Sequence, residues 1–132
     1  MRKILITLML LIACVTSVSA GETATIVVPT QAKETNYVLY PTSNMFTFLK
    51  LDTRTGKLWQ VQYSLENDEF ECVLNDKPLA STGRVGQFAL YPTQNMWTFL
   101  LLDAVNGKVW HVQWSQDKSQ RVIMPIKLYK EL

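Results

Sequence analysis

From Leu58 to Tyr63 the side chains alternate, with Trp59, Val61 and Tyr63 on one side and Leu58, Gln60 and Gln62 on the other. A period of two predicts a β-strand. The pattern returns at Val109–Trp114, where Trp110, Val112 and Trp114 form the apolar set. The run before each of these strands is different. Met45–Leu51 and Met96–Leu102 are apolar on both faces, so both faces need cover. The cover is the other half of the chain, a second subunit or a ligand.

The two halves are copies. An offset of 51 residues superposes Leu39–Leu49 on Leu90–Leu100, and the match runs on without a gap through Asp52 and Asp103 to Ser64 and Ser115. Seventeen of the 28 positions from Tyr37 to Ser64 are identical in the second copy. Within a copy, Tyr37–Tyr40 is a β-prone run that stops at Pro41-Thr42-Ser43-Asn44, where Pro presets φ and Asn tolerates a left-handed position. The chain then reverses into Met45–Asp52. Gly56 and Gly107 supply the positive φ that closes the next hairpin loop. A fourth strand is expected at Phe70–Leu74, with Arg121–Pro125 as its counterpart at the same offset.

The predicted fold is all-β: two tandem four-stranded antiparallel blade-like meanders packed as one domain, a pseudo-twofold sandwich or barrel-like. Repeat 1 covers residues 37–77 and repeat 2 residues 88–132. Residues 78–87 form a linker marked by Ser81, Thr82, Gly83 and Gly86. Residues 21–36 read as a polar leader in which Ala24–Val28 adds an edge strand.

The segments Leu51–Trp59 and Leu102–Trp110, with their Asp, Gly-Lys and Trp, resemble the Asp-x-x-Thr-Gly-Lys-x-x-Trp hairpin of PQQ-type β-propeller blades. The Trp comes one place early, and the likeness covers about nine residues per copy. It implies a blade-like unit and no cofactor, and two blades fall short of the about 4 to 8 that close a propeller. The whole repeat is also similar to small secreted β-repeat proteins of gut Bacteroidetes, a resemblance that implies export and no particular activity.

The N-terminus changes the charge picture. Arg2 and Lys3 precede an apolar run from Ile4 to Val15, too short for a bilayer span of about 20 residues. Val18-Ser19-Ala20 then places small residues before a cut at Gly21, so residues 1–20 read as a signal peptide. The alternative is a lipobox at Leu11-Ile12-Ala13-Cys14, with a lipoprotein anchored through Cys14 in the outer membrane. Both readings export the chain to the periplasm or the extracellular space, with no transmembrane helix after processing. Loss of Arg2 and Lys3 leaves eleven basic residues against eleven acidic ones. The bases are scattered singly among acids, which argues against a nucleic-acid partner. After the cut Cys72 is the only cysteine, so the core alone must hold the domain, and Cys72 reads as a buried small hydrophobe.

Candidate chemistry is sparse. His111 is the only histidine and stands where repeat 1 has Gln60, which argues against a metal centre. A Cys72/His111 nucleophile pair is formally possible, but the sequence places no cation near Cys72. Asp52 and Asp103 each open a hairpin loop, where Asp bonds its own backbone two residues on. His111 and Asp103 are read as solvated. No phosphate-binding Gly-rich loop or nucleophile elbow occurs, so no catalytic residue, metal or cofactor is assigned.

The aromatics remain. Trp59, Tyr63, Trp97, Trp110 and Trp114, beside Gln62 and Gln113, are the candidate ligand-binding residues, with core packing as the competing role. Trp59 and Trp110, as equivalent residues, are expected to behave alike. The expected function is an exported, non-enzymatic interaction domain acting at the cell envelope on a protein or glycan. The alternatives are a self-associating structural envelope protein, forming a homo-oligomer, and a small hydrolase.

Overall fold

Both alternating segments form strands, and so do the apolar runs before them. The structure, a computed structural model, describes residues 34–130. The signal peptide, Cys14, the Gly21 start and the edge strand at Ala24–Val28 lie outside the described residues. Repeat 1 is a sheet of β1 (Tyr37–Pro41), β2 (Thr47–Asp52), β3 (Leu58–Gln62) and β4 (Phe70–Val73). Repeat 2 is a sheet of β5 (Phe88–Pro92), β6 (Thr98–Asp103), β7 (Val109–Gln113) and β8 (Val122–Pro125). Each sheet is an antiparallel meander in chain order. Among the described residues no helix is long and apolar enough to cross a membrane.

Met45 and Phe46 belong to the first turn and not to β2. Thr42 Oγ1 donates to the Thr47 carbonyl at 2.8 Å, and Asn44 Oδ1 accepts the Phe46 N–H at 2.8 Å. Thr93 and Asn95 repeat these bonds with Thr98 and Trp97 at 3.0 and 2.9 Å. Side chains thus satisfy the backbone that a longer strand would have paired.

The fourth strands also differ from expectation. Trp59 pairs with Val73, and its counterpart Trp110 pairs with Pro125, an offset of 52. Repeat 2 carries one more residue between its third and fourth strands, absorbed by a 3-10 turn at Lys118–Gln120. A slip of one residue in a strand turns every side chain over. The extra residue lets β8 keep its orientation relative to β7.

The sheets stack face to face in a sandwich and do not close into a barrel. The stack is not twofold. In repeat 1 the buried residues are Val38, Tyr40, Leu49, Leu51, Leu58 and Gln60. In repeat 2 they are Phe88, Leu90, Phe99, Leu101, Trp110 and Val112. These are opposite faces of the same repeat, since Leu49 corresponds to the exposed Leu100, and Leu101 to the half-buried Lys50. A twofold axis would bury equivalent residues. Instead the back of one blade-like sheet rests on the front of the next, as stacked spoons do.

Several bonds fix this arrangement. The Phe88 N–H donates to the Thr53 carbonyl at 2.8 Å, Ser115 N–H to Gln60 Oε1 at 3.3 Å, and Leu90 N–H to the Tyr40 hydroxyl at 3.4 Å. Corresponding hairpin ends therefore lie at the same end of the stack. The linker crosses the β2–β3 loop, where Leu79 and Ala80 N–H groups donate to the Thr55 carbonyl at 2.8 and 3.1 Å. One apolar cluster spans both sheets, and each fully buried Leu or Val in it contributes about 1.5–3 kcal/mol.

Candidate functional site

The spoon-like stack divides the aromatic candidates by repeat. Trp110 and Trp114 are core, 9% and 0% exposed. Trp59 is half-buried on the outer face of the first sheet, and Tyr63 is exposed beyond it. Trp59 and Trp110 are thus equivalent in sequence and different in environment, against the expectation that they behave alike. The Trp59 indole carries Lys50 Nζ over its ring at 4.7 Å and meets the Tyr37 ring edge at 6.3 Å. Lys50 is itself ion-paired with Glu71.

The two turn corners have also diverged. In repeat 2, Trp97 and Trp114 have ring centroids 4.6 Å apart, and Trp114 Nε1 donates to the Met96 carbonyl at 3.0 Å. Gln113 Nε2 donates to the Gln120 carbonyl at 2.9 Å. The corner is filled by its own side chains. In repeat 1 the smaller Phe46 and Tyr63 stand 5.4 Å apart and line a cleft of about 310 Å³ with Gln62, Leu65, Glu66 and Asp68. Gln62 Oε1 is enclosed on the strand face opposite Tyr63, without a hydrogen-bond partner among the described residues, and a buried unpaired acceptor costs about 1–3 kcal/mol.

Neither hairpin carboxylate lies in this cleft. Asp52 Oδ1 accepts the Arg54 N–H at 2.9 Å, and Asp103 Oδ1 accepts the Val105 N–H at 2.9 Å, as the turn chemistry requires. Asp103 is not solvated, however. It is 3% exposed, with Gln87 Nε2 at 3.2 Å and Asn106 Nδ2 at 2.8 Å. Burial pushes both carboxyls up. Hydrogen bonds outweigh it, from Arg54 at Asp52 and chiefly from Asn106 at Asp103, and hold both below the usual carboxylate value.

His111 is half-buried on the outer face of the second sheet. Cys72 is half-buried, and a cation does approach it: Arg121 Nη1 lies 3.2 Å from its Sγ. Sequence reasoning missed Arg121 because it reaches Cys72 from the other repeat. Phe46, which the sequence sets on the run neighbouring the aromatic stripe, is the ring that repeat 2 enlarges to Trp97. Among the described residues no three His, Cys, Asp or Glu side chains come together as metal ligands.

The arrangement offers an aromatic wall and two carboxylates at a surface cleft, which suit reversible binding. No protein-family model matches this chain, and no curated protein or solved structure matches it either, so its function is read from this geometry alone.

Proposed function

We propose that the chain is an exported, non-enzymatic binding module that holds a glycan at the cell envelope in the Phe46/Gln62/Tyr63 cleft. The observation that carries the reading is the pair of exposed rings, Phe46 and Tyr63, lining a surface cleft beside Glu66 and Asp68. A sugar ring has an apolar C–H face that fits an aromatic wall, and hydroxyl groups that donate to carboxylates such as Glu66 and Asp68. The corresponding corner of repeat 2, filled by Trp97 and Trp114, is the closed copy.

The test is calorimetric titration of the secreted chain with a panel of neutral and acidic oligosaccharides, alongside Phe46→Ala and Asp68→Asn. Both variants are expected to lose binding while Trp97→Phe keeps it. Undiminished sugar binding by both cleft variants, or the absence of binding across the panel, would overturn the assignment.

A further inference from the structure

The internal interface joins the back of sheet 1 to the front of sheet 2, so among the described residues one front and one back have no sheet against them. Sheet 1 leaves its front open, with the cross-strand row Leu39, Lys50, Trp59, Val73. The same positions in sheet 2 are Leu90, Leu101, Trp110 and Pro125, which face sheet 1. Sheet 2 leaves its back open, with the row Tyr91, Leu100, His111, Met124. The same positions in sheet 1 are Tyr40, Leu49, Gln60 and Cys72, which face sheet 2. The two open faces are therefore copies of the two halves of an interface already formed. From this we infer that a second copy of the chain docks head to tail, its open front against the open back of the first.

A second observation lies at the hairpin ends. Gly56 is covered from above: a Cβ placed there would meet the Phe88 ring at 2.9 Å and Leu79 Cβ at 3.2 Å. Gly107 has the same left-handed backbone, yet a Cβ there would meet nothing within 4 Å. Beside Gly107 runs a groove of about 680 Å³ bounded by Asn106, Val109, Trp110, Pro125 and Leu128. The residue equivalent to Phe88 is Tyr37, which is 52% exposed at the same hairpin end, on the open front of sheet 1. In the head-to-tail contact Tyr37 of one copy covers Gly107 of the other. Its N–H reaches the Ala104 carbonyl as the Phe88 N–H reaches Thr53, and the Leu39 N–H reaches the Tyr91 hydroxyl as the Leu90 N–H reaches Tyr40.

Lys50 replaces Leu101 in this contact and enters it neutralised by Glu71. The contact is consequently more polar than the internal one. It also lacks the linker, which supplies an effective concentration in the mM range to the internal interface. A heterologous contact leaves a free end at each step until a ring closes. Rings of about 4 to 8 blades correspond to two to four chains.

The sugar cleft lies at the edge of the contact. Tyr63 is covered there as Trp114 is, and Phe46 stays open as the 39% exposed Trp97 does, so sugar and second copy compete for Tyr63 and the sugar titration is run where the chain is monomeric.

The experiment is sedimentation velocity on the secreted chain, up to about 1 mM to match the missing linker, with Leu39→Glu on the front and Leu100→Glu on the back. The wild type is expected to assemble, each variant alone to remain a monomer, and an equimolar mixture of the two to form a one-to-one dimer through the surviving front and back. A wild type that stays monomeric over the whole range overturns the inference. Loss of assembly in only one of the variants also overturns it, because that is the signature of pairing between like faces. Val73→Lys and Met124→Lys, exposed positions on the fourth strands, repeat the test should either Glu variant melt early. Leu100→Glu keeps sugar binding and Phe46→Ala keeps assembly, so the two proposals fail separately.

Discussion

Trp59 and Trp110 occupy one position of the repeat and provide an internal control. Trp110→Ala empties a site that is 9% exposed, against the Phe88 ring at 6.1 Å and the buried Leu101. Removing such a side chain from a packed core costs about 3–5 kcal/mol. Trp59→Ala acts on a half-buried ring whose partners are Lys50 at 4.7 Å, Lys57 at 5.6 Å and the Tyr37 edge. Exposed cation–π contacts are worth about 0.5–1 kcal/mol each, so with partial burial the loss is about 1–2 kcal/mol. For a domain of this size 1 kcal/mol moves Tm by roughly 4–8 °C. Thermal unfolding by circular dichroism, at a concentration low enough to keep the chain monomeric, should lower Tm by at least about 12 °C for Trp110→Ala and by less than half that shift for Trp59→Ala. Equal shifts would refute the opposed burial of the two faces and restore the twofold arrangement.

Other outcomes test separate features. Asp52 and Asp103 have folded-state values below their unfolded ones, so their stabilisation is fully present above the unfolded carboxylate value and lost as pH falls through the lowered values. Urea midpoints should therefore fall as the pH drops below about 4, and less steeply in Asp103→Asn, which starts lower at pH 7. Gly56→Ala and Gly107→Ala impose the same left-handed strain, but only the first meets Phe88 and Leu79, so its Tm should fall further. Gly83→Ala should destabilise the linker crossing, since a Cβ there falls 1.3 Å from the Arg54 carbonyl oxygen. Intact-mass measurement of the exported protein is expected to show a start at Gly21, and a diacylglyceryl mass beginning at Cys14 would overturn that.

The meanders were legible because the cues are local: alternation at Leu58–Gln62, Pro and Asn at the first turn, and a positive-φ Gly at the second. Burial direction was not legible. Met45–Leu51 and Met96–Leu102 are apolar on both sides, so periodicity could not say which side each copy turns inward. The only hint was Lys50 opposite Leu101, a charge on the face that one copy exposes and the other buries. The burial of Asp103 depends on Gln87, and the cation at Cys72 on Arg121, both remote in sequence. The offset of 52 at β8 escaped notice because identity had already faded there. Of the site, Tyr63 and the neighbouring Phe46 were legible as aromatics on adjacent runs, whereas their closeness and the approach of Glu66 and Asp68 emerge only when the turn is built.

The near-identity of Leu39–Leu49 and Leu90–Leu100 also bears on how the chain finds its fold. Each of the first three strands of one copy has a near twin in the other, so β1 meets two almost interchangeable mates, β2 and β6. Chain length discriminates between them. The native β1–β2 turn closes about five residues and the crossed pairing about ten times as many, an entropic handicap of about 2 kcal/mol. That margin exists only within one molecule. Between two unfolded chains the crossed and native pairings start level, so crowded refolding favours strand-exchanged tangles, and dilute refolding selects the correct hairpins first.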